Sequence, residues 1–144
     1  MRKIGLACDH AGYRLKEAVK QHLKENGYEV VDFGTDSSES VDYADFAHPL
    51  AEAVEQGKLD RGITLCGSGN GISMTANKHP GIRAAICWNE EITRLAREHN
   101  DANVCSLPAR FLSDEEARQI VDLFLSTGFE GGRHQRRIDK IPHK

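Results

Sequence analysis

The chain has 144 residues, of which 39% are hydrophobic and 28% charged, with a formal net charge of −3; this is the profile of one globular domain large enough to bury a core without metal or disulfide support. The negative balance argues against a general nucleic-acid binder, and no apolar run reaches the about 20 residues of a membrane-spanning helix. The apolar run after Arg2 and Lys3 is too short for a secretory signal, and Cys8, Cys66, Cys87 and Cys105 are too dispersed for a zinc site or a disulfide framework; no metal and a reducing, cytoplasmic setting are therefore expected.

In chain order, Ile4–Cys8 reads as a first strand, and Leu15, Ala18, Val19, His22 and Leu23 then recur at helical spacing up to a stop at Asn26-Gly27. Val30, Val31 and Phe33 give a second strand, followed by a polar loop and a helix from about Asp45 to Gln56, in which Pro49 is expected near the first turn. Ile63–Leu65 forms a third strand leading to Cys66, and Gly71–Asn77 a short helix. Arg83–Cys87 is a fourth strand, followed by a helix presenting Ile92, Leu95, Ala96 and His99 on one face. Val104–Leu107 is a fifth, and Ser113 with Glu116 caps a helix striped by Ala117, Ile120, Val121, Phe124 and Leu125. This alternation predicts an α/β fold: a Rossmann-like, three-layer, doubly wound parallel sheet of about five strands, in a single domain spanning residues 1–144. Residues 128–144 form a basic C-terminal segment of net charge +3, leaving −6 on residues 1–127.

The chemical centre is the strand-to-helix turn after Cys66, with Gly67, Ser68, Gly69, Asn70 and Gly71. Glycines let the backbone curl, and the free N–H groups of a helix start favour a small anion and can raise the thiolate fraction of a nearby cysteine. The turn lacks the full dinucleotide G-x-G-x-x-G spacing and the Lys-Ser/Thr pair of a nucleotide P-loop. Cysteine is also among the most buried residue types, so packing alone accounts for Cys66 equally well.

Asp9 and His10 follow the first strand and so fall on the same carboxyl edge, as a catalytic pair or as a helix cap with a solvated histidine. Tyr43, ending the loop after the second strand, faces the same choice between site and surface. Arg133 and Arg137 are four apart, as a phosphate clamp or a solvated basic tail. His99 on an apolar stripe reads first as a core histidine, and Asn100 as a stop signal.

Taken together, CDHAG at 8–12, CGSGNGIS at 66–73, ANKHPGIRAA at 76–85, HNDANV at 99–104 and EGGRHQRRI at 130–138 resemble the type B ribose-5-phosphate isomerases, of the wider ribose/galactose-6-phosphate isomerase family. The resemblance spans nearly the whole chain. It implies interconversion of ribose 5-phosphate and ribulose 5-phosphate, in the pentose phosphate pathway, by a homodimer or dimer of dimers without cofactor. By the same resemblance Cys66 matches the base that moves a proton from C2 to C1, and the turn from Gly67 to Gly71 matches the donors for a cis-enediolate. Ser68 would bond the O1 and O2 region. Asp9, His10 and His99 would open the ring or hold the sugar, and Asn100, Arg110, Arg133 and Arg137 would bind the intermediate or the phosphate. A branch of the family with glycine at the Cys66 position uses glutamate at the Ile72 position; this chain is similar to the cysteine users.

Three rivals are set against this expectation: an isomerase of allose 6-phosphate or galactose 6-phosphate, a non-enzymatic nucleotide-binding module, and a hydrolase with Cys66 as a covalent nucleophile. The module leaves Cys66 and the arginine pair without a task. Because strands run toward the Cys66 edge and helices run back, His99 and Asn100 are expected at the opposite edge; with the resemblance placing His99 in the same site as Cys66, each site would be shared between two chains.

Overall fold

The computed structural model describes residues 2–143. Strands β1 (Lys3–Cys8), β2 (Glu29–Asp32), β3 (Arg61–Cys66), β4 (Ala84–Ile86) and β5 (Val104–Pro108) alternate with helices α1 (Tyr13–Glu25), α2 (Tyr43–Glu55), α3 (Asn70–Ala76), α4 (Glu90–Glu98) and α5 (Asp114–Ser126). A 3-10 turn at His10–Gly12 precedes α1, and a further helix, α6 (Arg133–Asp139), follows α5. The five strands form one sheet in the order β2-β1-β3-β5-β4, parallel at every pairing. This is the expected doubly wound architecture.

The three inner strands are buried along nearly their whole length, while β2 and β4 at the edges are half-buried, because only central strands carry helices over both faces. On one face Leu15, Val19 and Leu23 of α1 pack with Ala117, Ile120, Val121 and Phe124 of α5. On the other, Leu50, Ala51 and Val54 of α2 pack with Ala76 of α3 and Ile82. Each large aliphatic side chain so buried contributes about 1.5–3 kcal/mol, which makes these stripes, rather than helix propensity, what holds α1 and α5 on the sheet. The Ser113–Glu116 capping box forms with both of its bonds, at 2.9 and 3.1 Å.

The chain runs from β1 out to β2 and then crosses back to β3, so the strand order reverses between β1 and β3. A crevice at that reversal is where such sheets place ligands. Register sets Cys8 beside Leu65 and Cys66 beside Pro108, so the ends of β1, β3 and β5 are level.

Several local expectations need correction. Helix α2 starts at Tyr43, so Pro49 lies in its second turn, where it cannot donate to the Asp45 carbonyl; the buried stripe Ala47, Leu50, Ala51 and Val54 carries the helix through. In α4 the deeply buried side chains are Thr93, Ala96 and Arg97, while Ile92 and Leu95 are only half-buried. Arg97 is tolerated inside because its guanidinium donates to the Thr127 carbonyl, the Ala102 carbonyl and the Asp101 carboxylate. Phe33 lies just outside β2, which ends at Asp32.

Candidate active site

The site begins where β3 ends. Gly69 takes a left-handed conformation, with φ of +80°, which a side chain would strain. This turns its N–H back onto the Cys66 sulfur, 3.2 Å away. The Ser68 hydroxyl accepts from the Asn70 N–H at 3.2 Å, and among the described residues the N–H groups of Ser68, Gly71 and Ile72 find no backbone acceptor. A thiol and a fan of backbone donors therefore share one turn, an arrangement that can hold a small oxyanion beside the sulfur. Cys66 itself is only 4% exposed and packs with Ala47 and Ile72. The apolar Ile72 puts no carboxylate near the turn.

Other residues named from the sequence gather at this edge. One oxygen of Asp9, Oδ1, accepts from the Ala11 and Gly12 N–H groups at 3.0 and 3.2 Å, so Asp9 is a cap and is also buried at the strand end. His10 Nδ1 accepts from the Val41 N–H at 3.2 Å, which leaves the proton of the neutral ring on Nε2. The Tyr43 ring lies directly on Gly71, where an added Cβ would come 2.4 Å from the ring. Arg110 covers Gly67 similarly: a Cβ there would stand 3.1 Å from the guanidinium carbon. The Ala109 and Arg110 N–H groups fix that loop to the Cys66 and Gly67 carbonyls at 2.9 and 3.0 Å.

The remaining candidates lie at the other end of the sheet. His99 is the C-cap of α4, and Arg83, just before β4 begins, donates to the Asn100 carbonyl at 3.0 Å. The Glu130 N–H donates to the Glu98 carbonyl at 3.0 Å, tying the basic segment to the same place. That segment is no loose tail, since His134 and Ile138 of α6 are buried while Arg133 and Arg137 are exposed. Neither arginine forms an ion pair among the described residues. The His99 side chain is 41% exposed, so it is not the core histidine its stripe suggests. Two of its neighbours were not singled out from the sequence: the His134 ring stacks on it with centroids 4.2 Å apart, and Glu130 stands between them. Only their nearness inside one short motif could have pointed to them.

All four cysteines are free and buried, and their surroundings separate them. Burial pushes the Cys8 thiol up to about 12, and burial likewise raises Cys105 well above the usual range. Cys87 is drawn down by a hydrogen bond from Cys105 but is fully enclosed. Cys66 alone receives a backbone N–H, within a turn whose Ser68 and Asn70 reach solvent. The ends of β1, β3 and β5 thus bring together Cys66, Ser68, Asp9, His10, Tyr43, Gly67, Gly69, Asn70, Gly71 and Arg110. His99, Asn100, Arg133 and Arg137 stand apart from them.

Comparison with known proteins places the chain among its relatives. Residues 4–141 match the family model described as Ribose/Galactose Isomerase. The chain is 48% identical over 141 residues to ribose-5-phosphate isomerase B of Escherichia coli strain K12, covering 98% of this chain and 95% of that one. It superimposes on the Clostridium thermocellum ribose-5-phosphate isomerase B with a TM-score of 0.96 at 54% identity, covering 97% of this chain and 95% of that one. The Mycoplasma genitalium ribose-5-phosphate isomerase B, solved with ribulose 5-phosphate bound, gives a TM-score of 0.92 at 47% identity, covering 96% of this chain and 93% of that one.

Proposed function

The chain belongs to the ribose/galactose isomerase family, and on that premise we propose that it interconverts ribose 5-phosphate and ribulose 5-phosphate through a cis-enediolate, with Cys66 as the base. The observation that carries the reading is the Gly69 N–H on the Cys66 sulfur beside unpaired turn donors, in a chain related over its whole length to such isomerases. A relative that holds ribulose 5-phosphate supports the ligand class.

The chemistry follows from the groups present. Ring opening needs an acid and a base at the hemiacetal, and Asp9, His10 and His99 supply them. The Cys66 thiolate then takes the C2 proton of the open aldose, the electron pair moves into a C1–C2 double bond, and the charge settles on the O1 and O2 region. There the Ser68 hydroxyl and the N–H groups of Ser68, Gly71 and Ile72 meet it. The thiol returns the proton to C1 while the O2 proton passes to O1, C2 becomes the carbonyl and the ketose forms, with no net gain or loss of protons or electrons. Tyr43, Gly67, Gly69, Asn70 and Arg110 shape and line the sugar subsite. Asn100 with Arg133 and Arg137 holds the far end, where guanidinium forks match phosphate oxygens.

Those last residues and His99 come from a second chain. Strand β3 has six residues, so the two sheet edges are about 17 Å apart at about 3.3 Å per residue, too far for one pentose phosphate to touch both. A two-fold dimer laying the α4–α6 end of one subunit over the strand ends of the other completes two equivalent sites. Among the described residues no helix is long and apolar enough to cross a membrane, in keeping with a cytoplasmic enzyme of sugar phosphate metabolism.

The deciding assay is kcat/KM on ribose 5-phosphate, allose 6-phosphate and galactose 6-phosphate. The reading predicts the highest value for ribose 5-phosphate. A higher value for either hexose phosphate would move the chain to the six-carbon isomerases, and nucleotide binding without turnover of any of the three would remove the enzymatic reading.

A further inference from the structure

An imidazole that opens a sugar ring must keep a nitrogen in a set direction. His99 is the C-cap of α4 and its side chain is half-exposed, a setting in which χ1 and χ2 are ordinarily free to turn. Its own N–H secures the backbone on the Leu95 carbonyl at 2.9 Å, but that leaves the ring free. Glu130 Oε1 stands 3.8 Å from His99 Nε2, beyond hydrogen-bond range. What meets the ring is the ring of His134, 13° from parallel with centroids 4.2 Å apart.

His134 is the fixed member of this pair. It is 8% exposed, and its N–H donates to the Gly131 carbonyl at 3.2 Å, while the Glu130 N–H on the Glu98 carbonyl brings its segment against the end of α4. A flat, buried surface is therefore set against one face of a half-exposed ring. Because both nitrogens of an imidazole lie in the ring plane, stacking restrains χ2 without consuming either of them. Other histidines of the chain are held at the expense of a nitrogen. His48 and His79 meet through theirs, 2.8 Å apart, with the rings tilted by 58°. His22 Nε2 is paired with Asp122 at 2.7 Å, and His10 Nδ1 with the Val41 N–H.

We propose that His134 is a positioning residue for ring opening: its buried imidazole fixes the plane of the His99 ring and leaves the His99 nitrogens free for the hemiacetal. The proposal rests on the ring-opening role given to His99. His134 itself touches no substrate, whereas the exposed Arg133 and Arg137 of the same helix are the residues assigned to the phosphate.

The test separates sugars that must be opened from sugars that need not be. Ribose 5-phosphate closes its ring through O4. Its 4-deoxy analogue has no hydroxyl there and its O5 is esterified, so it is permanently an open aldehyde. Ribulose 5-phosphate is acyclic for the second reason, and solvent deuterium entering its C1 reports proton transfer without ring chemistry. His134→Ala should lower kcat on ribose 5-phosphate about tenfold, with KM, analogue turnover and deuterium entry all within about twofold of wild type, since a misplaced group of about 1 Å costs up to about 100-fold only in the step it serves. His134→Phe keeps the flat face and loses the nitrogens, so it should stay within about threefold of wild type on ribose 5-phosphate. His99→Ala should show the same split in larger measure. Equal losses of His134→Ala on cyclic and open sugars, wild-type kcat in that variant, or a tenfold loss in His134→Phe would overturn the proposal. If His99→Ala shows the split and His134→Ala does not, the positioning role alone fails. If His99→Ala loses both kinds of sugar equally, the ring-opening role of His99 fails and the proposal with it.

Discussion

The two ends of the sheet are built on opposite plans. At the strand ends the chemistry is made of backbone: Gly69 bent to aim its N–H at a buried thiol, and Gly67 and Gly71 covered by Arg110 and Tyr43 so closely that a side chain at either position would displace its neighbour. At the helix ends it is made of exposed side chains, His99, Asn100, Arg133 and Arg137, held by α6 through the buried His134 and Ile138. The difference matches the tasks assigned to each. Proton transfer and oxyanion stabilisation demand fixed geometry, whereas holding a phosphate demands charge and reach.

If this division is right, mutations on the two edges should fail in different ways. The largest loss is expected for Cys66→Ala, which should lower kcat by about 10²–10⁴-fold or more, the worth of a positioned base, while substrate still binds. Solvent deuterium entering C2 at the wild-type rate in this variant would remove Cys66 as the base. Arg133→Ala and Arg137→Ala should instead raise KM more than they lower kcat, by roughly 10- to 150-fold for a charge-assisted bond of about 1.5–3 kcal/mol. Wild-type KM in both would detach the basic segment from the phosphate.

A smaller effect tests the backbone-built edge from within. Gly71→Ala must push the Tyr43 ring aside, and kcat/KM should fall about tenfold, because a shift of about 1 Å near the chemistry costs up to about 100-fold. Combined with Tyr43→Ala it should add almost nothing, since both changes act through one contact; full additivity would mean that Gly71 acts elsewhere.

The smallest effect is on acid stability. Burial alone would raise the Asp32 carboxyl, but hydrogen bonds from Lys16, the Gly34 N–H and Lys20 bring it below the ordinary range. Because the folded value is depressed, the stabilisation is complete above the unfolded carboxylate range and is lost as pH falls through the folded value. Hydrogen exchange at Gly34, whose N–H bonds Asp32 at 2.9 Å, should quicken in acid before exchange at the Gly69 turn does.

Much of this was readable from the sequence, for identifiable reasons. Alternating apolar runs and stop signals mark all five strands and the sheet's polarity, and polarity alone separates Cys66 from His99. The strand order was not readable, because the return from β2 across β1 to β3 is decided by packing of α2 on the far face. Nor was the start of α2, where Pro49 suggested a later first turn and the buried stripe overruled it. The stripe of α4 misled because Arg97 finds three acceptors inside the fold, which no period of hydrophobic residues reveals. The His99, Glu130 and His134 cluster escaped because it joins segments distant in the chain, through the Glu130 N–H on the Glu98 carbonyl and the stacked His99 and His134 rings.

The central claim is that the strand-end edge of one subunit works with the helix-end edge of another. Cys66→Ala and His99→Ala proteins, each inactive on ribose 5-phosphate, are mixed and allowed to exchange subunits. Random pairing makes about half the dimers mixed, each with one of its two sites free of both substitutions, so about a quarter of wild-type activity should return. No recovery despite verified exchange would place Cys66 and His99 of one site in the same chain and contradict the account.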